Sequence, residues 1–302
     1  MQKHPVVVAG VVYPGVEGFV SNFVSSLSTQ TFRDFDLLII NDGAEEVLKS
    51  LFPQETIWVN LEDRMTIAEI RRFLIDHAQA RYSQLIFADT DDFFSANRVE
   101  ESLKWLTKFD FVFNEVSLVD CEGQVLHSNY FSSLDVEDEI ADFSLLEDRN
   151  VIGLSNSAIN LQALPDLCIP PDLIAVDWWI YTVLLINGCK GKFIKDAVSF
   201  YRQHGSNTIG MQACLTEKKL ELGLSVKMAH YNNLASYCVA NNHVALAERF
   251  LEKVNETSAV EVLTRDKVLC ERYLDKVNRN YSSINSGWWS EIISVDRFNQ
   301  YE

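Results

Sequence analysis

The segment Asp89-Thr90-Asp91-Asp92 places three carboxylates in four positions, directly after the apolar residues Leu85-Ile86-Phe87-Ala88. A short apolar run that ends in turn residues has the form of a buried parallel strand. Ligands of open α/β sheets lie beyond the carboxyl ends of such strands. Carboxylates crowded there repel one another unless a cation, or a cation carrying phosphates, lies between them. Mg2+ is held in this way, by one or two carboxylates together with substrate phosphates. A plainer alternative has the aspartates capping the next helix or facing water in a loop. Asp42 repeats the arrangement after a second apolar run, residues 35–40, in the turn Asn41-Asp42-Gly43. It is either another carboxylate at a strand's ligand-binding end or a turn former.

The elements that must hold these residues alternate along the chain. Residues 6–12 are β-branched and read as a sheet-core strand, which Tyr13-Pro14-Gly15 ends. From Phe19 the apolar residues Val20, Phe23, Val24 and Leu27 follow helical spacing. Residues 35–40, 57–59 and 85–88 are further strands. Thr66-Ile67-Ala68-Glu69 has capping-box spacing and opens a helix that carries Arg71 and Arg72 in its first turns. Asn97 and Glu100 open another helix, with Val99, Leu103 and Leu106 turned inward. Strand and helix in alternation predict a mostly parallel sheet. After a strand at 111–116, residues 120–148 are acidic and irregular, either a loop that shapes a pocket or solvated surface. Regular structure returns at 155–161, and Asp177 heads an apolar, hence buried, helix at 178–186 that Gly188 ends. Short strands are expected at 193–194 and 198–201, before Arg202-Gln203-His204.

Beyond about Met211 the pattern becomes wholly helical. Leu220, Leu224, Met228, Tyr231, Ala235 and Cys238 form one stripe, and residues 244–254 and 259–277 add two amphipathic helices. The expected organisation is therefore a domain over 1–210 and a helical region over 211–302. The helical region offers a surface for a homodimer or for peripheral contact with a membrane, and Trp288 and Trp289 lie near its end.

Composition narrows the function classes. The 302 residues are 47% hydrophobic and 23% charged, as in ordinary globular proteins. A formal charge of −17 excludes the basic footprint expected of nucleic-acid binding. It leaves room for an anionic small ligand, because one local cation reverses the field inside a pocket. The apolar run at 6–12 is too short for the core of a signal peptide, and no run reaches membrane-spanning length, so a cytoplasmic location is expected. Six well-separated cysteines form neither a disulfide framework nor a zinc motif.

Four pieces in fixed order resemble the family 2 glycosyltransferases, whose nucleotide-binding fold is called GT-A. They are the strand ending Asn41-Asp42-Gly43, Arg71 in a helix, the Asp89-Thr90-Asp91-Asp92 segment, and Asp177-Trp178-Trp179 followed by Tyr201-Arg202-Gln203-His204-Gly205-Ser206-Asn207. The last two segments are similar to members that transfer rhamnose and related sugars in bacterial cell-surface polysaccharide synthesis. The resemblance implies an α/β fold of GT-A type and an inverting, metal-dependent transfer of sugar from a nucleotide-diphosphate donor to the hydroxyl of a glycan or lipid-linked saccharide acceptor. It implies that Asp42 reads the nucleobase, Arg71 lies near the base or diphosphate, and Asp89 touches ribose or sugar. It further implies that Tyr13 and Arg202 complete the donor-binding set, that Asp91 binds Mn2+ or Mg2+ with His204 as a further contact to the metal or the diphosphate, and that Asp177 is the general base. Each residue also has a structural alternative: Asp177 as an N-cap, Arg71 as a solvated helix residue, His204 as a turn residue bonded to backbone.

The implied chemistry needs these residue types. A diphosphate leaves a sugar only if its developing charge is stabilised, which a bound divalent cation does as a Lewis acid. The acceptor hydroxyl must lose a proton as it attacks, and a positioned carboxylate contributes about 10²–10⁴-fold. The chain departs from the family pattern at Tyr13-Pro14-Gly15, at Asn41 in place of Asp, and at Val176 in place of Glu. These departures suit a second reading, a sugar-nucleotide sensor or scaffold without activity. A third reading is a haloacid-dehalogenase-like phosphohydrolase, which also places Asp-x-Asp after a buried strand.

Overall fold

The structure, a computed structural model, describes residues 4–134, 136–204 and 214–301. Its chain folds as two compact units, Met1–Phe143 with Ile152–Leu167 and Leu184–Gly210, and Ser144–Val151 with Cys168–Val183 and Met211–Glu302.

The first unit is built on one mixed sheet. Four strands pair in parallel: β1 (His4–Val12) between β2 (Asp36–Asn41) and β4 (Tyr82–Phe87), with β3 (Ile57–Asn60) outside β2. Valine at 6, 7, 8, 11 and 12 explains the central position of β1, since a strand covered on both faces needs apolar side chains on both. The two-residue β5 (Phe93–Phe94) leads to β6 (Phe111–Val119), which runs three residues further than expected and is buried throughout. Two short strands, β7 (Val125–His127) and β8 (Glu139–Ile140), lie in the acidic insertion. β9 (Ser157–Asn160) sits antiparallel between β4 and β6. β10 (Gly191–Arg202) runs parallel to β6. The sequence predicts two short strands where β10 is one; the register against β6 shifts between Ile194 and Val198, and that irregularity accounts for the apparent gap.

Three helices flank this sheet. α1 (Val20–Ser28) buries Val20, Phe23 and Leu27, and these join the core formed by β1 and β2. α2 (Ile67–Gln79) starts with the expected capping box, with Thr66 and Glu69 each satisfying the other's backbone N–H. α3 (Arg98–Leu106) follows Asn97, whose side chain donates to the Asp196 carbonyl instead of capping the helix. The α/β class with a mostly parallel sheet and a helical C-terminal region is thus borne out.

The second unit gathers α5 (Glu217–Ala240), α6 (Val244–Thr264), α7 (Lys267–Arg279), α8 (Tyr281–Ile284) and α9 (Val295–Gln300), together with the first part of α4 (Val176–Ile186). α6 runs on to Thr264, and the break before α7 comes where Asp266 caps the new helix by accepting the Leu269 N–H. The expected division at 210/211 lies outside the described residues. Two earlier segments, Ser144–Val151 and Cys168–Val183, fold with the helices. The reason is local: Trp178 Nε1 donates to the Leu146 carbonyl at 2.6 Å, its ring stacks on His230 at 3.9 Å, and Tyr231 Oη donates to the Glu147 carbonyl at 2.9 Å. Among the described residues, no helix is long and apolar enough to cross a membrane.

His230 is fully buried, and neither ring nitrogen finds a hydrogen-bond partner among the described residues. Burial holds its pKa well below the usual value, with Lys227 adding to the effect. The unfolded chain therefore takes up a proton below about pH 6.5 that the folded chain refuses, and stability falls as pH drops through that window. His230→Phe, which keeps the stack on Trp178, is expected to resist urea better than the native chain below about pH 6.5, with the advantage shrinking above it. Denaturation midpoints measured across that pH range check this; an advantage that does not change with pH would contradict it.

Candidate functional site

The carboxyl ends of β1 and β4 are locked side by side. The Ala88 N–H donates to the Ala9 carbonyl at 2.9 Å, and Thr90 Oγ1 donates to the Val11 carbonyl at 2.6 Å. A Cβ at Gly10 would stand 2.3 Å from the Ala88 carbonyl oxygen, so only glycine admits this approach. The lock brings Tyr13 to the Asp89-Thr90-Asp91-Asp92 loop. Tyr13 Oη donates to Asp91 Oδ2 at 2.9 Å, and His204 Nε2 lies 3.0 Å from the same oxygen. The His204 ring stacks on Phe19, centroids 4.8 Å apart.

Arg202, at the end of β10, fastens the loop from behind. Its backbone N–H donates to Asp92 Oδ1 at 2.8 Å, Nε donates to the Asp91 carbonyl at 2.8 Å, and Nη1 donates to the Cys121 carbonyl at 2.7 Å. The guanidinium also lies over the Phe19 ring, 4.8 Å from its centroid. Arg71, half-buried on α2, pairs with Asp89 at 2.7 Å. Arg98, fully buried on α3, donates to the Phe87 carbonyl at 2.5 Å and to Asn114 Oδ1 at 3.0 Å.

This crowding sets the electrostatics. Burial, then the charges of Asp91 and Asp89, raises the Asp92 pKa well above the usual carboxylate range. Burial also raises Asp89, against the opposing pull of Arg71. Tyr13 is pushed far up, first by burial and then by Asp91, so its phenol remains a donor.

The structure therefore brings Tyr13, Arg71, Asp89, Asp91, Arg202 and His204 together. Arg202, expected to touch the donor, is 1% exposed, and its guanidinium is occupied by protein carbonyls and aromatic faces. Asp42 follows β2, whose Asn41 is in register with Val12 of β1, and its N–H donates to the Val12 carbonyl at 2.8 Å. Asp177 belongs to the second unit, in the first turn of α4, where Oδ1 accepts the Trp178 N–H at 2.8 Å. Phe19, Asp92 and Arg98 have parts that the sequence reading left unassigned. Arg98 had a signal: it stands beside Val99 on the inward side of a helix, where a charge needs partners.

Among the described residues, no group of three or more His, Cys, Asp and Glu side chains is arranged to hold a metal ion. Two donors do converge, Asp91 Oδ2 and His204 Nε2, 3.0 Å apart. Adjacent ligands of an octahedral ion with bonds of about 2.1 Å stand roughly 3 Å apart, so the pair fits two neighbouring positions of such a shell. A carboxylate suits Mg2+ or Mn2+, and an added imidazole favours the transition ion.

The fold is shared with solved structures. It matches Staphylococcus aureus TarS residues 1–349 in complex with UDP-GlcNAc over 93% of this chain and 81% of that one, with a TM-score of 0.59 and 13% identity. It matches the mannosyltransferase PcManGT from Pyrobaculum calidifontis, in complex with GDP-Man and Mn2+, over 93% and 84%, with a TM-score of 0.53 and 12% identity. In sequence, the chain is 30% identical over 102 residues to an uncharacterized glycosyltransferase, YwdF, of Bacillus subtilis (strain 168), and 29% identical over 111 residues to an uncharacterized glycosyltransferase of Rickettsia bellii (strain RML369-C). These matches take in 33% and 35% of this chain but 37% and 16% of those relatives, so well under half of either relative is spanned. No family model matches.

Replacing Arg202 with methionine keeps an aliphatic stem but leaves the Asp91 and Cys121 carbonyls without this donor. Arg202→Met is expected to lower stability by about 1–3 kcal/mol, chiefly through the Asp91 carbonyl, since Cys121 is exposed and water can replace the lost donor there; urea denaturation measures this. An unchanged midpoint would show that the guanidinium does not fasten the loop.

Proposed function

We propose that the protein is a glycosyltransferase that moves a sugar from a nucleotide-diphosphate donor to an acceptor hydroxyl with inversion, in assembly of cell-surface glycan. The observation that carries this reading is the convergence of Asp91, His204, Tyr13 and the Arg71–Asp89 pair at the carboxyl ends of β1 and β4. That is where an open α/β sheet binds its ligand. Support comes from a fold shared with proteins that hold UDP-GlcNAc, or GDP-Man with Mn2+, and from the two relatives named as glycosyltransferases.

In this reading Asp91 and His204 would hold Mn2+ or Mg2+. Bound there, the cation would offset the charge that develops on the leaving diphosphate. Arg71 turns from Asp89 towards the base or diphosphate, and Asp89, freed of it, accepts from a sugar or ribose hydroxyl. Asp42 reads the nucleobase. Arg202 acts through Asp91 and does not touch the donor. The base is assigned to Asp177 on the sequence resemblance alone: its carboxylate takes the proton of a glycan or lipid-linked saccharide hydroxyl as that oxygen attacks the anomeric carbon.

Thermal-shift measurements with UDP, GDP and their sugars, with and without Mn2+, test the binding half, because a specific ligand raises apparent stability by mass action. The native chain is expected to be stabilised only when nucleotide and cation are both present, and Asp91→Asn is expected to lose that response. Asp177→Asn is expected to keep it while transfer falls about 10²–10⁴-fold. Transfer retained in Asp177→Asn would assign the base elsewhere. Binding without transfer in the native chain, across candidate acceptors, would favour the sensor reading that Val176 and Tyr13-Pro14 suggest.

A further inference from the structure

We infer that Tyr13 is a positioning residue for the divalent cation: its hydroxyl pins one lone pair of Asp91 Oδ2 and leaves the other for the ion. The inference rests on the metal reading of Asp91 and His204 above. A carboxylate oxygen has two in-plane lone pairs. Asp91 Oδ2 meets both Tyr13 Oη, at 2.9 Å, and His204 Nε2, at 3.0 Å. A cation held by Asp91 and His204 together would lie to the side of that pair and take the place of their mutual hydrogen bond, leaving the Tyr13 bond to the same oxygen intact. The phenol of Tyr13 keeps its hydrogen bond to Oδ2 and fixes the tilt of the carboxylate.

Two features make the placement of the hydroxyl independent of the ion. Tyr13 follows β1 directly, and the end of β1 is tied to the loop through Thr90 and the Gly10–Ala88 approach. The tyrosine ring packs against the apolar core of the first unit. The Asp91 main chain is fixed separately, through its carbonyl, by Arg202. Asp91 is thus held at both ends, the backbone by Arg202 and the carboxylate by Tyr13. Hydrogen bonds to ligating carboxylates of this kind are commonly worth about 10–100-fold in metal affinity.

The test is Tyr13→Phe, which keeps the packed ring and removes one oxygen. Mn2+ affinity is read from the loss of the free-ion electron paramagnetic resonance signal, with UDP and GDP present, for the native chain, Tyr13→Phe and Asp91→Asn. The expected result is Mn2+ binding by the native chain, none at this site in Asp91→Asn, and about 10–100-fold weaker binding in Tyr13→Phe at an unchanged melting temperature. A merely structural role would lower the melting temperature and leave the affinity of the folded fraction alone. Equal or tighter binding by Tyr13→Phe, with Asp91→Asn inactive in binding, overturns the role of Tyr13 and leaves the metal reading standing. Equal binding by the native chain and Asp91→Asn overturns the metal reading and this inference with it.

Discussion

One carboxylate oxygen, Asp91 Oδ2, is the point on which the first unit's geometry turns. The end of β1 reaches it through Tyr13, the segment after β10 reaches it through His204, and Asp91 itself lies in the loop after β4. Three strands that are distant in sequence must end within a hydrogen bond of one another for this contact to exist. Holding it means keeping Asp89, Asp91 and Asp92 close together in a largely dry setting, which is unfavourable for charge. The protein answers with Arg71 on Asp89, Arg98 under the end of β4, and the Arg202 backbone N–H on Asp92. Even so, Asp89 and Asp92 keep raised pKa values.

Much of the fold was legible because local chemistry and tertiary structure agree. The Thr66–Glu69 box starts α2 as its spacing demands, and the valines of β1 fill the centre of the sheet. Legibility failed where an element depends on a partner remote in sequence. β9 joins the sheet antiparallel between two otherwise parallel neighbours, and nothing in Ser157–Asn160 alone specifies which strands will flank it. β10 looks like two strands because its irregularity lies between Ile194 and Val198. Ser144–Val151 and Cys168–Val183 belong with the helices through backbone carbonyls at Leu146 and Glu147, and carbonyls leave no mark in a sequence.

The candidate site divides in the same way. Asp91 and His204 stand together as their motifs imply, since each lies just beyond a strand end and the strands fix those ends. Arg202 looks like a ligand-binding arginine in a polar motif, yet its side chain points into the protein and bonds to main-chain oxygens. The aromatic residue that supports both Arg202 and His204, Phe19, was visible only as an apolar position at the start of a helix. A sequence displays the type of a side chain but not the direction in which the completed fold aims it.

Among the described residues, the sheet of the first unit ends at one side on the four-residue β3 and at the other on the two-residue β5 and β8, both paired to β10. Open edges invite foreign strands, and the invitation weakens as the number of available backbone donors and acceptors falls. An intruding peptide could register over only a few residues at either border before the pleat runs out. The long apolar strands β1 and β6, which would make strong templates for fibril growth, are flanked on both sides. The architecture that gathers acidic loops at one end of the sheet also keeps its stickiest segments away from neighbouring molecules.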